Sequence, residues 1–587
     1  MKFLWTYLKK YVLIILGGMC IKLIGTALEL LIPYVMEHLI DNVVPQKDIK
    51  PVLLWGGIML ILAVLVRVLN VTANQMSVRV AKRSIHEIRR DLFHTALNLS
   101  GNQMDAVTLP SLISRMTSDT YNVQSFIQSV QTMGIRAPIM LIGGITVTLA
   151  MDRGLASILL ILSPILIVLV VFVSMKGIPL YDQVQRSMDD IVRIMRENIT
   201  GIRVVKALSK ENYEIGRFSE QNQTMAKRDI KASVTMAMPG PLVTLFLNVG
   251  LTIVVIVGAK RVDAGITKPG VILAFLTYFN MIMMGVMGLN RVFMMFSKAN
   301  TSANRIAAVV TLPEDLSRLS PEEGAKATST DYVVFDHVRF SYSGSETGTA
   351  NDQRFAGSTR QSCLEDIDFS IRKGGSLGII GATGSGKTTI INLLMRFYDP
   401  DQGHVFVDGR DVRTWDRDEL HRLFGVVFQN DVIFADTIRE NISFGRSLDE
   451  GMLDQALEDA MASEFVGNYP DGADHLSAIH GSNFSGGQKQ RLLIARALAT
   501  KPQILILDDS SSALDYRTDA NLRQAIRSHH GEATLIVIAQ RISSIMSLDE
   551  IIVMDEGRMI GRGTHEHLMK TCPVYQEIFK TQMGEVA

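Results

Sequence analysis

Six long apolar stretches, at residues 11–36, 51–71, 134–151, 155–175, 241–259 and 270–296, restrict what the first half of this chain can fold into. Each approaches the ~20 residues a helix needs to cross a bilayer. The buried helices of a large soluble protein would not supply six such runs with so few charges, so six crossings are expected. The segments after the second and fourth runs are rich in base: Arg79, Lys82, Arg83, Arg89, Arg90 and Arg115, then Arg186, Arg193, Arg196, Arg203, Lys206, Lys210 and Arg217. Between the third and fourth runs stands little more than Asp152-Arg153-Gly154. Basic loops stay in the cytoplasm, which places the N-terminus and both long connections there. Both connections read as helical, carrying the spans well past the bilayer. Lys2, Lys9 and Lys10 precede the first run with no small-residue cleavage site after it, so the start reads as an uncleaved surface helix led by Phe3, Leu4 and Trp5.

A chain of 587 residues is too long for one core. The composition shift divides it into a membrane domain at 1–312, a polar linker at 313–330 and a soluble domain at 331–587. Its 59 basic and 59 acidic residues balance, which removes the electrostatic case for nucleic acid. Cys20, Cys363 and Cys572 are scattered and suggest neither a zinc site nor a disulfide framework. Within the soluble domain, Gly381-Ala382-Thr383-Gly384-Ser385-Gly386-Lys387-Thr388 fits GxxxxGK[ST]. It follows an apolar run at 377–380 and opens a helical pattern at 389–397, beginning with Thr389. Strand, glycine turn and helix are the context this motif requires: backbone N–H groups close round phosphates and the helix N-terminus adds positive potential. Lys387 would reach the outer phosphates and Thr388 would hold Mg²⁺. Ile504-Leu505-Ile506-Leu507 reads as a buried parallel strand with Asp508 at its carboxyl end, a second oxygen donor for Mg²⁺.

Phe484-Ser485-Gly486-Gly487-Gln488, close before that acidic strand, resembles the signature of the ATP-binding-cassette (ABC) proteins. The resemblance gives Tyr342 the role of stacking on adenine, Gln429 a place in the Q-loop beside the metal, and Ser512 to Asp515 that of the D-loop. With six spans upstream, nearly the whole chain is similar to an ABC exporter half-transporter of the multidrug and lipid type. The implied fold is an all-α six-span transmembrane domain fused to an α/β P-loop nucleotide-binding domain. Two cassettes then sandwich two ATPs, each held between one cradle and the other chain's Ser485–Gln488 equivalent. Short coupling helices are implied near 101–107 and 210–217. In the family a Glu follows the acidic strand's Asp, and a His contacts the γ-phosphate; here Asp509 and Gln540 occupy those places. Asp is shorter by one methylene, roughly 1.5 Å, and a base must lie within ~3 Å of its proton. The expectation is a heterodimer: this chain's own site is slow or inert, and its intact signature completes a partner's working site. The cargo would be an amphipathic small molecule or membrane lipid. A homodimeric lipid flippase or a slow regulatory membrane ATPase is the alternative.

Some residues depart from the pattern. Residues 343–362 form a Gly/Ser/Thr/Gln-rich loop where the family turns tightly, and Ile479 stands in a stretch that usually holds an acid. Lys22 and Glu29, seven apart in the first run, share a helix face. They read either as substrate contacts or as a structural pair or end-of-span snorkelling. Arg67 and Arg136 read as snorkelling toward the cytoplasmic side. Met281, Met283, Met284, Met287, Met294 and Met295 offer a soft surface for apolar ligands or ordinary packing.

Overall fold

The protein is described by a computed structural model over residues 1–583, apart from 321, 328 and 343–361. The loop expected at 343–362 therefore lies, but for Ser362, outside the described residues. Two compact units divide the chain. Met1–Leu97 with Leu109–Leu312 form the first, and Asn98–Thr108 with Pro313–Ala587 the second.

The first unit is helical throughout. Its long helices are Val12–His38, Ile49–Leu97, Thr120–Met151, Arg153–Thr200, Glu211–Ala237, Pro239–Asp263 and Pro269–Val310. Ile49–Leu97 has 49 residues, hence a length of roughly 75 Å at 1.5 Å per residue, far beyond a hydrocarbon core of ~30 Å. The basic segments are thus continuous with the spans, as their helical pattern suggested. Against the six expected crossings, five helical stretches among the described residues are long and apolar enough to span a membrane. The fourth apolar run gives, among the described residues, a shorter apolar segment, Arg153–Leu169.

Close packing between Thr120–Met151 and Pro269–Val310 rests on small residues. A Cβ on Gly285 would lie 2.9 Å from the Ala137 carbonyl oxygen, and one on Gly288 would lie 3.0 Å from the Ala137 Cβ. Phe275, Tyr278, Phe279 and Ile282 fill the space beside them, and Tyr278 donates to the Leu30 carbonyl at 2.6 Å. The N-terminal helix Lys2–Leu8 is amphipathic as expected, but it packs on protein. Leu4 and Tyr7 are buried with Ile85 and Ile88, and the Tyr7 hydroxyl donates to Asp91 at 3.0 Å, while Trp5 stays exposed. Asp119, buried, accepts from Ser302 at 2.8 Å and from Arg305 at 2.9 Å.

One expectation is corrected here. The separate short helix of the second connection is Ile202–Ala207, whereas 211–217 simply opens the long helix Glu211–Ala237. Arg136, near the start of the apolar run at 134–151, donates to Glu29 at 2.8 Å.

Among the described residues the second unit carries ten strands: β1 (Val333–Phe340), β2 (Leu364–Ile371), β3 (Ser376–Gly381), β4 (Gln402–Val407), β5 (Arg410–Asp411), β6 (Phe424–Val427), β7 (Ile504–Asp508), β8 (Thr534–Ile538), β9 (Glu550–Asp555) and β10 (Arg558–Gly563). One sheet runs β2-β1-β4-β5 and is antiparallel. The other runs β10-β9-β3-β8-β7-β6, parallel except for the antiparallel edge strand β10. The parallel strands are unbroken apolar runs because both faces are covered; every residue of β7 is buried. Placing β3, β7 and β8 side by side brings their carboxyl ends, where α/β sheets bind ligands, to one edge.

Gly101–Val107 forms the helix expected in the first connection and groups with this unit. Ser100 and Gln103 close a reciprocal cap on its N-terminus, and the Tyr398 hydroxyl donates to Asp105 at 2.9 Å. Linker residues also lie on the cassette, with Leu319 N donating to the Arg413 carbonyl at 2.9 Å.

Candidate nucleotide site

The turn after β3 is shaped by glycines that no other residue could replace without strain. Gly384 and Gly386 have φ of 86° and 93°, and a Cβ on Gly386 would lie 2.5 Å from Leu364 Cδ2. Gly386 caps the helix Lys387–Leu394, whose free N–H groups point back over the turn. A cavity of about 190 Å³ opens here, lined by Cys363, Thr383, Gly384, Gly386, Lys387, Thr388, Thr389, Gln429, Asp508, Asp509, Ile538 and Gln540. Local sequence therefore predicts most of the lining. Cys363 and Ile538 were missed; they stand just before β2 and at the end of β8, which carry no phosphate-binding pattern.

Lys387 Nζ donates to the carbonyls of Gly381 and Ala382, at 2.9 and 2.7 Å. Burial holds its pKa below the ordinary lysine value, with Asp508 and Asp509 pulling upward. The Thr388 hydroxyl donates to Asp508 Oδ2 at 3.0 Å. That pair, with Gln429 lining the same cavity, is an all-oxygen set of the kind Mg²⁺ takes through one or two carboxylates plus phosphate and water. The residues present fit that ion, which would screen phosphate charge when bound. Burial raises the pKa of Asp508, which is 1 % exposed, and also that of Asp509.

Asp509 adopts a left-handed φ of 51°, unusual for a residue with a Cβ, and its N–H donates to the Ile538 carbonyl at 2.9 Å. Its carboxylate accepts from Gln540 Nε2 at 2.9 Å. Gln540 is itself held by the last described helix, Pro573–Met583. Gln582 Nε2 donates to the Gln540 carbonyl at 2.7 Å, and Gln582 Oε1 accepts from Ile542 N at 2.8 Å. No sequence signal marks Gln582, which lies 42 residues beyond Gln540 in an ordinary amphipathic helix.

Tyr342 stands beside the cradle: its hydroxyl is 3.1 Å from Thr389 Oγ1, and its ring packs edge-on against Tyr398. Ser385 is buried within the turn. The Ser485–Gln488 segment does not line this cavity. Ser485 Oγ accepts from Gln488 N at 3.3 Å and Gln488 Oε1 accepts from Ser485 N at 2.8 Å, a reciprocal cap opening the helix Gly486–Leu498. Ser512 donates to the Asp509 carbonyl at 3.1 Å, and Asp515 caps the helix Tyr516–His529. The departure upstream of the signature is exposed, Ile479 being 70 % accessible.

Known proteins resemble this chain along nearly its whole length. Residues 14–287 match the family described as the ABC transporter transmembrane region, and residues 364–512 match the ABC transporter family. "Uncharacterized ABC transporter ATP-binding protein YfiB" of Bacillus subtilis is 32% identical over 99% of this chain and 98% of its own length. The chain belongs to the ABC transporters. An ATP-dependent lipid A-core flippase of Methylococcus capsulatus is 31% identical over 94% of this chain and 89% of its own. A solved structure of a bacterial Atm1-family ABC exporter with ATP bound superposes at a TM-score of 0.78 and 23% identity, covering 99% of each chain, and so shares the fold. This ABC transporter joins a helical membrane domain to an ATP-binding domain in one polypeptide, the architecture of an exporter half-transporter. It is a multi-pass membrane protein whose ATP-binding domain lies in the cytoplasm.

Proposed function

We propose that this chain is one half of a heterodimeric exporter of amphipathic small molecules or lipids, and that its own ATP site is degenerate. In this reading, residues 1–312 form six crossings, 313–330 the linker and 331–587 the cassette. Tyr342 stacks on adenine, and residues 381–389 hold the phosphates. Thr388, Gln429 and Asp508 serve the Mg²⁺ that neutralises phosphate charge.

The observation that carries the reading is the Gln540–Asp509 hydrogen bond of 2.9 Å. At the place of hydrolysis the protein has a carboxylate one methylene short, tied to a neutral amide. A base that must reach a water about 3 Å away loses roughly 1.5 Å of reach, and an amide adds no positive charge to steady the transferring phosphoryl group. ATP in this cradle is therefore bound and retained. The capped Ser485–Gln488 segment, which lines no part of that cavity, is available to a partner's ATP. ATP binding closes the cassettes, and hydrolysis at the partner's cradle resets the cycle.

Likeness to a lipid A-core flippase favours one other reading, a homodimeric lipid flippase. The forced homodimer separates the two. Asp509→Glu together with Gln540→His should raise its ATP turnover at least tenfold if the site is degenerate, by the weight of a missing general base. An unmodified homodimer that already turns over at the rate of the double variant contradicts the proposal.

A further inference from the structure

The six apolar stretches hold four basic residues, Lys22, Arg67, Arg136 and Arg291, and one acid, Glu29. An ionised side chain inside a membrane is costly unless it meets a partner or a hydrated cavity, so the members of this set held inside the protein are the ones that need a partner. The structure gathers three of the five. Glu29 spends its charge on Arg136, whose NH2 group donates to Oε1 at 2.8 Å. Lys22 lies seven residues before Glu29 on the same helix face, about 10 Å away along the axis. It is 4 % exposed, and among the described residues the acceptor of its ammonium is the neutral Asn74 Oδ1 at 3.1 Å. Two cations thus share one carboxylate.

A second feature points the same way. Glu29 Oε2 and Asn70 Oδ1 are buried and, among the described residues, accept no hydrogen bond. Asn70 faces Gly25, where a Cβ would lie 3.4 Å from its Nδ2; Gly25 sits on the helix face between Lys22 and Glu29. The facing sides of these helices therefore hold surplus positive charge beside unused acceptors. Arg136, with 41% of its side chain accessible, gives the approach. That combination suits a ligand whose anionic oxygens meet Lys22 and Arg136 while its hydroxyls meet Glu29 and Asn70. Guanidinium presents a planar fork to phosphate or carboxylate, and ammonium a point charge.

We propose that Lys22, Arg136 and Glu29 form a seat for the anionic head group, phosphate or carboxylate, of the amphipathic substrate. The inference rests on the export reading and narrows it to anionic amphiphiles. The full transporter, with its partner, in phosphatidylcholine nanodiscs should have its ATPase stimulated by dodecyl phosphate in preference to dodecyl maltoside, dodecyltrimethylammonium or inorganic phosphate. Lys22→Gln, which strands no carboxylate, should raise the half-stimulating concentration of dodecyl phosphate about tenfold, the scale of a lost buried charge contact. Lys22→Arg should restore it, and melting temperature reports whether either variant is folded. Equal stimulation by the neutral or cationic dodecyl compounds, competition by inorganic phosphate at equal concentration, or an unchanged response in folded Lys22→Gln overturns the seat but leaves export standing. If no dodecyl compound changes ATPase or crosses the membrane, the export reading falls, and the seat with it.

Discussion

Replacing Gln582 by Leu removes both hydrogen bonds that hold the Gln540–Ile542 turn, at 2.7 and 2.8 Å, while keeping a side chain of similar size on the helix. A side-chain hydrogen bond contributes about 1 kcal/mol net, so the pair contributes about 2 kcal/mol to keeping this turn closed. At 1.4 kcal/mol per factor of ten, local opening should become roughly 30-fold more frequent. Ile542 N is the direct reporter, because its N–H is donated to Gln582. Amide exchange at Ile542 should quicken by about that factor, with exchange in β3 and β7 unchanged. Gln540 then loses its fixed approach to Asp509, and ATP should leave this cradle faster. Unchanged protection at Ile542 refutes the clip. Faster exchange with unchanged ATP release refutes its link to the nucleotide.

Other perturbations follow from the same distances. Asp459, 1 % exposed, accepts from His529 at 2.6 Å and His530 at 2.9 Å. Burial alone would raise its pKa, but the hydrogen bonds from His529, Gln455 and His530 outweigh it and hold the carboxyl below the ordinary value. A depressed folded pKa means stability that is present above the unfolded value, about 3.9, and lost as pH falls through the folded one. Urea unfolding of the cassette across that range should show the loss, and Asp459→Asn should flatten it. Gly285→Ala would press a Cβ to 2.9 Å from the Ala137 carbonyl. It should destabilise the membrane unit by about 1–3 kcal/mol, read as a lower melting temperature in detergent.

What the sequence declared was local. The phosphate turn was legible because glycine spacing, the preceding apolar strand and the following helix are contiguous, and the structure puts Thr383, Gly384, Gly386, Lys387, Thr388, Thr389 and Asp508 round one cavity. The helix Gly101–Val107 was legible through the family resemblance. Partnerships across the chain were not. Lys22 and Glu29 share a face, yet Glu29 bonds to a residue 107 positions away. Gln582 bonds to backbone carbonyl and amide groups, which leave no imprint on side-chain pattern. The short helix expected at 210–217 falls instead at Ile202–Ala207, set off from Glu211–Ala237 by a turn at Ser209, whose φ is 50°, and basic residues run evenly through both helices.

The central claim is an asymmetry between two ATP sites, and Lys387→Ala tests it most directly. The purified heterodimer should be compared with Lys387→Ala in this chain and with the equivalent lysine changed in the partner, measuring steady-state ATP turnover and substrate transport. Loss of this chain's Lys387 should leave most of the turnover, and loss of the partner's lysine should abolish it. Equal loss from both changes contradicts the account.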